Sequence, residues 1–496
     1  MDQLTSYADL VALAVEHGES LGATDVVARI EEIRTQYVAL RDGQLQTSSD
    51  DTDLGLGIRV LFAGALGFAA TIELHPDAVR DTVAQACASA RAVRATQSDD
   101  VTLAAEVGHG VVDWSSTFDI DPTTVPLSDK VALLRRWSDV VMANEAMSHA
   151  MASVHAVSEI KYLADSRGTR ATQRRVRLQA VVEAVATSAD GSDVETMTTV
   201  APPVGRGWEY LLGEGWDWES EVAALPGLLI EKLDAPSIEA GRYDLVIDPT
   251  NLWLTIHESI GHATELDRAL GYEAAYAGTS FATPDGLNTL QYGSSLMNVT
   301  GDRTVEHGLA TVAIDDEGVA TQSFDLIRDG VLVGYQLDRA VAGVFGLERS
   351  NGCAYADSAL HTAMQRMANV SLQPAPTPGP TTDDLISRVE RGIYVVGDKS
   401  WSIDMQRYNF QFTGQRFYLI ENGRITGQVR DVAYQATTTD FWRSMEAVGG
   451  TSTYLLGGAF NCGKGQPGQV APVSHGCPSV LVRNINILNT REEGGQ

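Results

Sequence analysis

Short turn signals recur along this chain between runs that alternate polar and apolar residues. That spacing commits much of the chain to antiparallel hairpins. Arg41-Asp42-Gly43-Gln44 stands between two such runs, and Ser166-Arg167-Gly168-Thr169 joins the alternations at 160–164 and 175–185. Asp316-Glu317-Gly318, Asp329-Gly330 and Glu421-Asn422-Gly423 punctuate the second half in the same way. Each places Gly where a tight turn needs positive φ, between segments whose period of two gives a strand one buried face.

Helical signals are fewer. Leu10, Leu13, Ala14 and Leu21 give an early helix its apolar stripe, and Pro76 opens a second that runs to about residue 94. Ser128 is the expected N-cap of a helix over 129–147, with Val131, Leu134 and Val141 facing inward. A short helix is expected over 383–391, after the Pro-rich stretch 374–380, which reads as an extended loop. The predicted fold class is α+β: N-terminal α/β regions followed by a strand-rich C-terminal domain carrying a metal-binding helix. At 496 residues the chain exceeds what one core organises. Three domains are expected, over 1–100, 101–235 and 236–490.

Composition narrows the function classes. The net charge of −29 would repel phosphate backbones, so direct nucleic-acid binding is not expected. The basic cluster Arg174, Arg175 and Arg177 alternates with Val176 and Leu178 and reads as the solvated face of a strand. No apolar run reaches the roughly 18–20 residues of a membrane span, and Met1-Asp2-Gln3-Leu4 does not open a secretory signal. Four scattered cysteines make no disulfide framework. The expected location is the cytoplasm.

The segment His257-Glu258-Ser259-Ile260-Gly261-His262 is the chemically loaded one. It follows the strand-like 243–247 and a helix start at Asp248-Pro249-Thr250. In the ordinary zinc-peptidase helix the two histidines are four apart and share a face. Here they are five apart, and on a regular helix they would diverge by about 140°. Gly261 is therefore expected to carry a kink, π-bulge or helix end that returns His262 toward His257. Glu258, beside a ligand but directed differently, suits a general base. A third ligand must come from elsewhere. Glu265, Asp267 and Glu273 are near in sequence; His307, His361, His475, Cys462 and Cys477 are distant. Cys462 stands out in Phe460-Asn461-Cys462-Gly463-Lys464-Gly465-Gln466, where Lys464 is placed to favour a thiolate. A Cys462–Cys477 disulfide is the structural alternative, and spacing alone does not choose.

These motifs resemble the TldD/PmbA family of metallopeptidases, specifically its TldD-type member. The likeness runs through Gly57-Ile58-Arg59-Val60, Gly67-Phe68-Ala69-Ala70-Thr71, the His257–His262 segment and Cys462-Gly463-Lys464. It implies one zinc per chain held by His257, His262 and Cys462, with Glu258 as base. It implies peptide or unfolded substrates, which are expected to add to a sheet edge in the strand-rich region. It also implies a dimer, with a paralogue of TldE/PmbA type that lacks the motif or with a second copy. The competing reading is a non-catalytic regulator, like the gyrase modulators described in this family, whose metal site is structural or vestigial.

Overall fold

A computed structural model describes residues 2–188 and 191–493, so that Met1 lies outside it. Its N-terminal half is one long sheet. Strands β1 (Asp25–Arg41), β2 (Gln44–Phe62) and β3 (Ala65–Thr71) form an antiparallel meander. The strands β4 (Val111–Ser115), β5 (Met147–Asp165), β6 (Arg170–Thr187) and β7 (Val194–Thr198) continue it in the order β3-β2-β1-β5-β6-β4, with β7 also on β6. The β1–β2 and β5–β6 connections are the hairpins expected at Asp42-Gly43 and at 166–169.

Helices α1 (Asp2–Ser20) and α2 (Pro76–Arg94) pack on the β1–β3 end of this sheet, burying Leu10, Ala14, Val79 and Val83. Helices α3 (Leu127–Met142) and α4 (Trp218–Asp234) cover the β5–β6 end over a separate core, where Trp137 and Trp218 stack. Three local expectations are corrected. Leu21 falls beyond α1 and is exposed. Ser128 lies inside α3, which starts after Pro126 and stops at Met142, because the chain turns at Asn144 to enter β5. The expected helix over 383–391 is only Thr382–Ile386, closed by a capping box between Thr381 and Asp384, and Arg391 already begins a strand.

The basic cluster is also corrected. Only Arg174 reaches solvent; Arg175 and Arg177 are buried, and both pair with Glu159 on the neighbouring strand. The face read as solvated is covered by the C-terminal half: Tyr355 lies against Arg175, and Lys161 of the same face pairs with Asp316.

In that half, β8 (Gly241–Ile247) lies between strands Arg391–Ile403 and Val480–Asn489. Strands Val432–Thr437 and Asn409–Glu421 follow, and the latter pairs back onto Arg391–Ile403, closing five strands into a ring. The hairpin at Asn422-Gly423 joins this ring to Arg424–Val429. Helix α5 (Pro249–Ile256) leaves β8 through the N-cap Asp248 and packs on the separate hairpin of Leu455–Lys464 with Gln469–Cys477. That packing sets the motif beside the hairpin.

Candidate metal centre

At His257 the α-helix gives way to a π-turn spanning His257–Gly261, closed by the His262 amide donating to the His257 carbonyl. One extra residue per turn brings residues five apart into the alignment that residues four apart have in an α-helix. The two imidazoles accordingly face each other, with ring centroids 4.7 Å apart. Side chains fix the turn by taking its carbonyls. The Tyr292 hydroxyl donates to Ser259 O, Thr264 Oγ1 to Ile260 O at 2.8 Å, and Gln336 Nε2 to Gly261 O at 2.7 Å. Gly261 itself has ordinary helical dihedrals, φ −52° and ψ −60°. It is needed for space: a Cβ there would lie 2.5 Å from Met367 Sδ.

Cys462 arrives from the strand Leu455–Lys464. Ligand atoms of His257, His262 and Cys462 all lie within 4.8 Å of one another, and all three residues are buried. His262 Nε2 is 3.6 Å from Cys462 Sγ. Hydrogen bonds behind the rings decide which nitrogens face inward. His475 Nδ1 is 2.9 Å from the Val370 carbonyl, which can only accept, so His475 carries its proton there and presents a bare Nε2. That nitrogen is 2.7 Å from His257 Nδ1, which must then donate, leaving His257 Nε2 with its lone pair free. His262 Nδ1 faces the Glu265 carboxylate at 2.8 Å and is held in the same tautomer. Hydrogen bonds of this kind orient histidines that ligate metals.

Electrostatics agree. Burial depresses the His257 and His262 pKa values, keeping both neutral. Burial would raise the Cys462 thiol, but its contact with His262 and the charge of Arg366 outweigh it and hold the pKa below its usual value. Lys464 does not act on the thiol as expected from the sequence. Its ammonium is 2.9 Å from Glu265 Oε1 and 3.0 Å from both Asp267 Oδ1 and Gln365 Oε1. Although burial disfavours its charge, Glu265 is held by Lys464 well below the usual carboxylate range. Lys464 therefore anchors the carboxylate that orients His262.

Glu258 is buried, and Arg407 Nη1 donates to its Oε2 at 3.0 Å. Arg407 sits in left-handed backbone, φ 62°, within a loop gathered by the Asp404 carboxylate. Such backbone is costly for a non-glycine residue and is typical of sites that need a side chain aimed.

The other candidate ligands go elsewhere. Asp267 and Glu273 belong to the Lys464 and Arg268 ion pairs, His307 lies against Glu306, and His361 hydrogen-bonds Asp357. All four cysteines are free, which removes the Cys462–Cys477 disulfide; the Cys477 thiol points at the Pro249 carbonyl. Arg407 had no signal in the sequence, which offered Glu265 and His475 as candidate ligands and not as partners of the motif histidines.

Three family models cover most of the chain: the PmbA/TldA metallopeptidase domain 1 over residues 26–90, the central domain over 120–224 and the C-terminal domain over 240–489. A metalloprotease of Methanothermobacter thermautotrophicus is 28% identical over 92% of this chain and 94% of its own. A metalloprotease TldD homolog of Haemophilus influenzae is 25% identical over 91% and 90%. A zinc metalloprotease TldD homolog of Saccharolobus solfataricus is 24% identical over 55% and 57%. Among solved structures, TldE from Thermococcus kodakarensis superposes with a TM-score of 0.71 at 16% identity, over 96% of this chain and 99% of that one. A protein from Bacteroides thetaiotaomicron, described as a modulator of DNA gyrase, gives 0.72 at 16% identity, over 97% and 98%. At such identities the two structures establish the fold alone.

Proposed function

The chain belongs to the PmbA/TldD family of metallopeptidases, and from that premise we propose that it hydrolyses peptides or unfolded polypeptide segments, using one zinc ion and Glu258 as general base. The observation that carries this reading is the convergence of His257, His262 and Cys462 within 4.8 Å beside a buried glutamate. Two neutral imidazoles and a thiol of lowered pKa form a donor set that suits zinc. The histidines would present Nε2, each fixed from behind by His475 or Glu265. Bound there, zinc would supply a Lewis acid that polarises the scissile carbonyl and acidifies water.

The protein's own part falls to Glu258. Arg407 donates to Oε2, which supports Oε1 as the oxygen that accepts the proton. Glu258 takes the proton from the attacking water and returns it to the departing amine as the peptide C–N bond breaks. In the same reading the chain is the TldD-type, metal-bearing partner of a dimer, with a TldE-type paralogue or a second copy, and works in the cytoplasm. No helix among the described residues is long and apolar enough to cross a membrane. The three regions expected from the sequence are proposed as its domains.

The test is metal analysis of the purified chain together with digestion of a peptide library, alone and with the paralogue. About one zinc per chain with chelator-sensitive hydrolysis supports the proposal. Bound zinc without hydrolysis under either condition would transfer the chain to the regulatory reading.

A further inference from the structure

Between the N-terminal sheet and the hairpin that holds Cys462 lies a cavity of about 230 Å³. Its apolar wall is Ile33, Val157 and Phe460, and its polar groups include Arg177, His155 and Asn461. Asn461 is exposed and marks the mouth. Phe460 and Asn461 are the residues at which the strand Leu455–Lys464 slips register before Cys462 regains pairing with Ala471. The cavity wall thus includes the two residues that precede Cys462 on its strand, at roughly 3.3 Å per residue.

Arg177 is the unusual group. Its side chain is only 6% exposed, yet its Nη1 has no hydrogen-bond partner. Its one ion pair among the described residues is with Glu159 Oε2 at 3.2 Å, an oxygen that Arg175 also holds at 2.9 Å. In the connected cluster, Arg29, Lys161, Arg175 and Arg177 face only Glu31, Glu159 and Asp316. A buried cation without full compensation is costly unless an anion completes it. Asp357 also lines the cavity, with its carboxylate hydrogen-bonded to His361 Nδ1 at 2.6 Å and the Val470 amide at 2.8 Å, and among the described residues no ion pair joins it to Arg177. His155 adds no further positive charge. Burial and Arg177 lower its pKa and keep it neutral.

We propose that this cavity is a carboxylate subsite, in which Arg177 binds the α-carboxylate of a peptide cut a few residues before its C-terminus. The proposal rests on the peptidase reading above and adds a substrate class to it: short peptides with a free C-terminus. A guanidinium against apolar walls suits a terminal carboxylate that carries an apolar side chain, and charge-assisted hydrogen bonds to Arg are the strong kind.

The test uses the full chain carrying Glu258→Gln, to prevent turnover, and calorimetric titration with N-acetylated tetra-alanine as free acid and as C-terminal amide. The free acid should bind roughly tenfold or more tighter, the scale of one charge-assisted hydrogen bond. Sulfate should compete with the acid and not with the amide. Adding Arg177→Met should reduce the acid–amide difference to less than about twofold. Equal binding of acid and amide, or a difference that survives Arg177→Met, overturns the subsite; the first comparison needs no variant at Arg177. Hydrolysis of the same pair by the unaltered chain, alone and with the paralogue, separates the two ideas. Equal kcat/KM on both, with equal affinity, leaves the peptidase and removes the subsite. No hydrolysis of either, with the affinity difference intact, removes the peptidase and keeps the carboxylate site.

Discussion

His475 Nε2 lies 2.7 Å from His257 Nδ1, and this hydrogen bond decides which nitrogen of His257 is turned toward Cys462. His475 touches none of the reacting atoms in the proposed reaction, so it is a positioning residue. His475→Ala should weaken zinc binding roughly 10- to 100-fold, the usual range for a partner behind a ligand. Competition with a chelator of known affinity measures this, and an unchanged affinity would refute the relay from the Val370 carbonyl through His475.

Glu258→Gln keeps the shape of the side chain but cannot accept a proton. Peptide hydrolysis should fall by about 10²- to 10⁴-fold, while the zinc content stays at that of the unaltered chain. Metal loss in step with activity would instead make Glu258 a structural support of the cluster.

Lys464 is the shared counterion of Glu265 and Asp267, and lies 3.5 Å from Glu273 Oε1. Lys464→Met leaves buried carboxylates unpaired and should cost about 3–5 kcal/mol in denaturant unfolding. Zinc affinity should drop as well, because Glu265 then no longer holds its charge behind His262. Normal stability with a raised Cys462 thiol pKa would restore the role that the sequence first suggested for Lys464.

Asp398 gives a pH dependence of defined sign. Burial raises its carboxyl pKa from 3.8 to about 6, against the opposing hydrogen bond from Trp253 Nε1. The folded value exceeds the unfolded one, so this group's contribution to stability is complete at low pH and is lost as pH rises through about 6. Asp398→Asn fixes the neutral form and still accepts from Trp253. At pH 7.5 the variant should be more stable than the unaltered chain by about 1–3 kcal/mol, with the gap closing toward pH 4. A constant gap across that range would show that Asp398 does not titrate in this way.

What the sequence made legible was local. Asp42-Gly43 and Asn422-Gly423 announce their hairpins because the turn itself demands positive φ, and both pairs have it. Pro76 and Asp248 mark helix starts because the first-turn amides need no partner or a capping oxygen. The five-residue spacing of the motif histidines likewise demanded an irregular turn. Arg175 and Arg177 were misread because alternation reports which residues share a face, not what covers it. The cover here comes from Asp316 and Tyr355, on the far side of a domain boundary in sequence. Arg407 was illegible for the same reason, since its 149-residue separation from Glu258 leaves no periodic trace.

The distance between the two halves of the cluster has a temporal meaning. Cys462 is translated 200 residues after His262, and its strand finds its place only by pairing with the stretch Gln469–Cys477 that emerges later still. His475, on that second strand, arrives last of all. A ribosome-bound chain thus displays His257, Glu258 and His262 for most of the synthesis of the C-terminal half without the donors that would complete a hydrolytic centre. Under the proposed function, competence would wait on that late hairpin, because Cys462 and the His475 partner of His257 are both made after the motif.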